Sequence, residues 1–163
     1  MGYIQSFFVY LITFFIVIKF IKYIKVNQKI SILIFLWHSI FCFLYLNYSI
    51  SNFLDSTGYY YASFVKENFE FIGNDIILGF TAIFSKYMGF NQTSCFLIFN
   101  LFGSLGQILF YKNIQPFLQK IKSKYKLLVS LTIWLPTIHF WTAGIGKDAL
   151  IYFLLNLSIY SLY

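Results

Sequence analysis

The chain has 163 residues, 60% of them apolar and 24% aromatic, with a mean hydropathy of +0.73 and 10% charged residues. A soluble domain carries roughly 25% charged residues to cover its surface, so this composition excludes an ordinary water-soluble globule and points to a bilayer. The net charge of +7 comes from twelve lysines without an arginine, clumped at the edges of apolar runs; that placement argues against nucleic acid as a partner and for lipid.

Tyr3–Ile24 is the first apolar run, with Lys19 and Lys22 near its end. At 1.5 Å per residue, about twenty residues cover a ~30 Å hydrocarbon core, and lysine stems reach back to the interface. Met1-Gly2 with Ser6 formally fits a myristoylation pattern, but the apolar run starts at once and supplies the anchor. The lysines follow the run instead of preceding it, and no small-residue cleavage site is present, so an uncleaved span is expected. Lys19, Lys22, Lys25 and Lys29 form a basic connector, and Ile30–Ile50 is the second span, interrupted by His38 and Asn47. His38 has no visible partner and reads as structural.

Ser51–Asp75 changes character: Asp55, Glu67, Glu70 and Asp75 face Lys66 as the one lysine. It reads as an aqueous loop, with Tyr59, Tyr60, Tyr61, Phe69 and Phe71 suited to the headgroup boundary. Ile76–Phe90 is apolar but short for a span. Thr81, Ser85 and Gly89 recur there every fourth residue, a polar stripe on a helix, so an interfacial or half-buried helix is expected. Thr93–Tyr111 is the next span, in which Gly103, Ser104 and Gly106 offer close helix approach, although ordinary helix packing is the simpler reading. Lys112, Lys120, Lys122, Lys124 and Lys126 make a second basic connector. Leu127–Trp141 is the fourth span and Ala149–Tyr163 begins a fifth; about fifteen residues reach only ~22 Å, as in an interrupted N-terminal portion of a longer protein. Cys42 and Cys95 lie inside apolar runs without metal or disulfide spacing and read as small hydrophobes. The expected architecture is a single all-α membrane domain over residues 1–163, a polytopic helix bundle of about five spans plus one interfacial helix.

Orientation follows from charge. If the 76–90 helix does not cross, both basic connectors share one side with nine of the twelve lysines, and all five acids lie on the other with Lys66, Lys86 and Lys147. The positive-inside tendency then puts the N-terminus outside, the basic connectors in the cytoplasm, and the 51–92 and 142–148 stretches outside the cell membrane.

Two unusual stretches thus fall on one face: Asp55-Ser56-Thr57-Gly58-Tyr59-Tyr60, and His139-Phe140-Trp141-Thr142-Ala143-Gly144-Ile145-Gly146-Lys147-Asp148. Lys147 precedes an apolar helix whose first free N–H groups favour anions. Gly144 and Gly146 let backbone approach a ligand, and an ammonium suits phosphate as a point charge; together these describe a pocket for a lipid-linked diphosphate. The simpler reading is that Lys147 snorkels while Asp148 caps the helix and complements its dipole. GIGK lacks the spacing of a phosphate-binding P-loop. Asp55 is a candidate general base toward a sugar hydroxyl or a metal ligand, or else a solvated loop acid. Tyr59 and Tyr60 suit stacking on a sugar ring or membership of an aromatic belt. His139 suits protonation of a leaving group, or burial as a satisfied core histidine. Nothing forms a metal cluster, a nucleophile–base triad or a nucleotide fingerprint, and neither metal nor cofactor is expected.

The order of features, an outer Asp-x-x-Gly-Tyr at Asp55–Tyr59, then GNDIILGFTAIFSKYMGF, then a basic loop and LPTIHFWTAGIGKDALIYF, resembles the N-terminal part of bacterial O-antigen and exopolysaccharide repeat-unit polymerases and related multispanning glycosyltransferases. Its most specific portion is Pro136 with His139-Phe140-Trp141 and Gly144-x-Gly146-Lys147-Asp148. The resemblance implies transfer of saccharide units from a polyprenyl-diphosphate carrier on the outer face. Lys147 would bind the diphosphate, Asp55 would position or deprotonate the acceptor, and His139 would assist, with Asp148, Tyr59, Tyr60 and Trp141 as further substrate-binding candidates. Family members have more spans, so this chain by itself is expected to be incomplete as an enzyme. The rival reading is a non-catalytic membrane protein: an assembly partner of other membrane proteins, a flippase component or a truncated remnant.

Overall fold

The computed structural model describes residues 2–70 and 72–162; Met1 of the myristoylation pattern, the boundary aromatic Phe71 and Tyr163 at the end of the last apolar run lie outside them. Among the described residues every regular element is helical: α1 (Gly2–Tyr23), α2 (Gln28–Asn52), α3 (Asp55–Val65), α4 (Asn74–Ala82) continued by a π-helical turn (Ile83–Tyr87), α5 (Gln92–Lys120), α6 (Ser123–Leu131), a 3-10 turn (Thr132–Trp134), α7 (Pro136–Trp141) and α8 (Lys147–Ser161). Three of them, α1, α2 and α5, are long and apolar enough to cross a membrane. Their outward faces carry Phe7, Phe8, Ile12 and Phe15 on α1 and Leu36, Ile40, Phe43 and Leu44 on α2, all exposed. Water would not tolerate so large an apolar surface, whereas lipid tails solvate it, so the protein is a membrane-associated helical protein.

α5 is the axis: 78% of its apolar window is buried, against 22% for α1. The cause is its narrow side. A Cβ built on Gly106 would come within 2.8 Å of the Tyr152 ring and 3.0 Å of the Phe153 backbone, so α8 packs at a separation that only glycine permits. α8 runs parallel to α5, with Tyr152 bonded to Gln107 and Asn113 to the Asn156 carbonyl. α1 and α2 pack on α5 from its other sides.

Side-chain contacts tie the ends of the bundle together. At one end Gln5 donates to the Gly89 carbonyl (3.0 Å) and Asn91 to the Gly2 carbonyl (2.7 Å); Asn91 also caps α5, accepting from the Ser94 N–H. At the opposite end Lys112 donates to the Lys25 carbonyl at 3.3 Å, which brings the two basic connectors together. Cys42 and Cys95 are free and buried.

Three elements differ from the expectation. The stretch expected as an aqueous loop contains α3. Its inward face is hydroxylic: Ser56 donates to the Tyr45 hydroxyl (2.9 Å), Thr57 shares a hydrogen bond with Ser49 (2.8 Å), and Ser63 shares one with Ser85 of the π-helical turn (2.6 Å). Hydropathy cannot register a helix that packs through hydroxyls. The basic connector after Tyr111 is partly helical, because α5 continues to Lys120. The expected 127–141 span is interrupted at the 3-10 turn before Pro136. The break is tolerated because the freed Ile133 carbonyl accepts from Gln107 Nε2 (2.6 Å) and from His139 Nε2 (2.8 Å), as a broken helix in a bilayer requires. The expected short helix over 76–90 corresponds to α4 and its π-helical turn, which pack on α3 with Thr81 and Ser85 buried.

Between α3 and α4, Lys66 Nζ donates to Asp75 Oδ2 at 2.5 Å and the Glu70 N–H donates to the same oxygen at 3.2 Å. The Lys66 hydrogen bond, helped by that N–H, holds the Asp75 carboxyl below the usual carboxylate range. A depressed folded-state value means the contribution is full above the unfolded value and is lost as pH falls through the folded one. The protection of amides at the start of α4, taken as exchange relative to the intrinsic rate at each pH, is therefore expected to fall on acidification, and Asp75→Asn should remove that acid dependence.

Candidate functional site

Tyr45 organises the end of the bundle away from the basic connectors. Its hydroxyl accepts from Ser56 of α3, and its ring meets Phe140 edge-on (4.8 Å between centroids), Trp141 (5.9 Å) and Phe96 (6.1 Å). Gly144 lies against the same ring, where any side chain would overlap it. One tyrosine thus pins the start of α3 to the turn between α7 and α8, the two stretches singled out in the sequence.

That juxtaposition is felt electrostatically. Burial raises the Tyr59 phenol above its ordinary value, and the nearby carboxylates of Asp55 and then Asp148 raise it further. Asp55, exposed in the first turn of α3, lines an open groove of about 320 Å³ with Gly58, Tyr59, Ala62, Asn74 and Leu78. Lys147 and Asp148 are exposed in the first turn of α8. The N-cap is Gly146, so Asp148 complements the helix dipole from inside the first turn without being the cap. Trp141 is 52% exposed and edges onto Phe140 and Tyr45.

Two candidates lie elsewhere. The Tyr60 hydroxyl donates to the Phe90 carbonyl at 3.3 Å and its ring packs on Tyr61 and Phe64, so Tyr60 braces the approach to α5. His139 is fully buried, with one ring nitrogen on the Ile133 carbonyl and the other 2.9 Å from the Nδ1 of His38. It is not grouped with Asp55, Lys147 and Asp148. Gly144, expected to bring backbone to a ligand, uses its missing side chain to seat Tyr45.

Sequence reasoning missed two residues. Tyr45 was invisible among fourteen tyrosines. His38 was set aside as structural, although a signal existed: the chain has two histidines, both within apolar runs, and an ionisable group inside a membrane marks function by default. The pair heads a buried polar column. His139 and Gln107 share the Ile133 carbonyl, Tyr152 donates to Gln107 Oε1 (2.5 Å), Asn156 donates to the Tyr152 carbonyl (2.9 Å), and Asn113 donates to the Asn156 carbonyl (2.9 Å). Among the described residues no group of three or more His, Cys, Asp or Glu could hold a metal ion.

The class these features define is a helical membrane protein with a polar column around α5 and a charged rim at one end. Comparison with protein-family models, with characterised proteins and with solved structures finds no match.

Proposed function

We propose that the protein is a multispanning membrane protein acting on polyprenyl-diphosphate-linked saccharides at the outer face of the cell membrane, as the N-terminal part of a polysaccharide polymerase or glycosyltransferase. The observation that carries this reading is that Tyr45 holds both the Ser56 hydroxyl of the Asp55 stretch and the rings of Phe140 and Trp141 of the Lys147 stretch, which supports reading the two stretches as one rim. Lys147 in the first turn of α8 is the second support. A cation there opposes the positive end of the helix dipole at a cost of about 0.3–1 kcal/mol, a placement that makes sense where an anion sits between ammonium and free N–H groups. In this reading Lys147 holds the diphosphate, Asp55 positions or deprotonates the acceptor hydroxyl, and Tyr59 and Trp141 offer ring faces to the sugar. The outward orientation is supported by the gathering of both basic connectors at the opposite end. The lower part of 127–141 and α8 would complete five spans.

A polyprenyl diphosphate is expected to bind the protein in lipid nanodiscs, and Lys147→Ala to weaken it about tenfold, or ~1.4 kcal/mol; unchanged affinity would remove the diphosphate assignment. Asp55→Asn should leave that affinity intact and shorten the glycan made in cells. Lys147→Cys should react with a membrane-impermeant maleimide in intact cells, against a silent background because Cys42 and Cys95 are buried; protection of position 147 would reverse the orientation.

The alternative, a non-catalytic assembly or flippase component, is favoured by one observation: the histidine that would assist transfer is sealed inside with His38. Binding of the carrier without any effect of Asp55→Asn on chain length is the outcome that selects it.

A further inference from the structure

Hydrogen-bonding capacity, followed atom by atom through the His38–His139 pair, comes out one hydrogen short. A carbonyl oxygen only accepts, so His139 Nε2, 2.8 Å from the Ile133 carbonyl, carries its hydrogen. In a neutral His139 the Nδ1 is then bare and accepts, so His38 Nδ1, 2.9 Å away, is the donor. A neutral His38 consequently has a bare Nε2. That nitrogen is buried without a hydrogen-bond partner, in a residue with no exposed surface. The Thr142 carbonyl, another acceptor, lies beside it, both meeting the point where a Cβ on Gly103 would stand. The Asn100 Oδ1, on the same side of α5 as Gly103, is a further buried acceptor without a partner, its amide nitrogen being committed to Ser39.

The space there is closed. A Cβ built on Gly103 would overlap the Thr142 carbonyl and come within 2.5 Å of His38 Nε2, so not even a methyl group has room between the glycine and the pair. A proton needs none. We propose that His38 and His139 form a proton-binding site inside the membrane, taking up one proton per chain at His38 Nε2. The added N–H turns the neighbouring acceptors, His38 Nε2 and the Thr142 carbonyl, into a donor–acceptor pair. The resulting imidazolium shares its Nδ1 hydrogen with the neutral His139 ring, and that hydrogen bond is then charge-assisted.

Burial opposes the charge, and the groups that face the pair supply no counter-charge. Asn100 and Gln107 come from α5, Trp37 and Phe41 from α2, Thr142 from the turn after α7, and Tyr152 of α8 through Gln107. Cys42, one turn along α2, donates its thiol to Phe96. The charge is therefore held by the shared Nδ1 hydrogen and by the Thr142 carbonyl dipole beside Nε2. Loading it ties α2 to the turn that leads into Lys147. The inference does not rest on the saccharide reading: it uses neither Asp55 nor Lys147, and it takes His139 as a partner of His38 and not as an assistant in transfer.

The test is imidazole nitrogen NMR of the whole chain, labelled with ¹⁵N-histidine in lipid nanodiscs, from about pH 8 to about pH 4 across the ordinary histidine range. One ring becoming doubly protonated while the other stays neutral, with scalar coupling across the nitrogen–nitrogen hydrogen bond, is the expected result. Two rings that stay neutral throughout, or two that titrate independently, overturn it. The count comes from the unmodified protein and needs no variant to fold. His38→Gln is expected to leave His139 neutral over the same range; a doubly protonated His139 in that variant would place the proton on the wrong ring and also overturn the assignment.

Discussion

Gly103→Val is expected to destabilise the bundle by ~3 kcal/mol, at the upper part of the usual range for overpacking a core. A side chain at this position meets the Thr142 backbone carbonyl on one side and the His38 ring on the other. Neither can move cheaply: the carbonyl belongs to the turn that seats Tyr45, and His38 is fully buried and bonded to His139. The measurement is the SDS mole fraction at which helix content collapses in mixed micelles. Gly58→Ala is the control. Nothing lies within 4 Å of a Cβ there, Gly58 sits inside α3, and alanine should stabilise that helix by about 0.8–1 kcal/mol. A Gly103→Val protein that unfolds at the unmodified midpoint would refute the close approach of α2, α5 and the turn after α7.

Gln107→Leu is expected to cost ~1–3 kcal/mol through the group it abandons more than through the bonds it made. Its amide donates to the Ile133 carbonyl and its oxygen accepts from the Tyr152 hydroxyl. With leucine the carbonyl keeps His139 as donor, so the break before α7 survives. The Tyr152 hydroxyl loses the acceptor on which it depends within the bundle. Tyr152→Phe added to Gln107→Leu should therefore recover much of the loss, because removing both partners is cheaper than removing one. A double variant whose losses simply add would mean the two side chains are not coupled.

These two residues also show where the sequence could be read and where it could not. Gly103 and Gly106 were legible as places where helices could approach closely, but small residues in an apolar run serve ordinary helix packing as well, and the sequence by itself favoured that. What approaches them was not legible: His38 and His139 are 101 residues apart in the chain, and no local pattern links them. Pro136 marked a change in the 127–141 run, but the break depends on Gln107 reaching the Ile133 carbonyl from another helix. α3 was hidden for a different reason. Its inward residues Ser56, Thr57 and Ser63 look soluble one by one, and become core when Tyr45, Ser49 and Ser85 meet them.

At the rim, the residue types at Asp55, Tyr59, Lys147 and Asp148 were readable as unusual chemistry in an apolar chain. That the two stretches converge follows from Tyr45 holding both. His139 belonged to the same motif in sequence, yet the ring faces inward, since the two residues that separate it from Trp141 turn the helix by about 200° and place Trp141 at the surface and His139 in the core.

By itself, then, the sequence determined the membrane setting, the helical class and the ends at which positive charge collects. Each of these depends on transfer of residues one at a time between water and hydrocarbon, a sum that runs along the chain. Only the tertiary structure decided which polar groups are satisfied inside the bundle, that α5 is its axis, and that two histidines share one hydrogen bond. Inside a bilayer a buried polar atom must find its partner within the protein, and that partner is chosen by packing across helices, which no stretch of sequence contains.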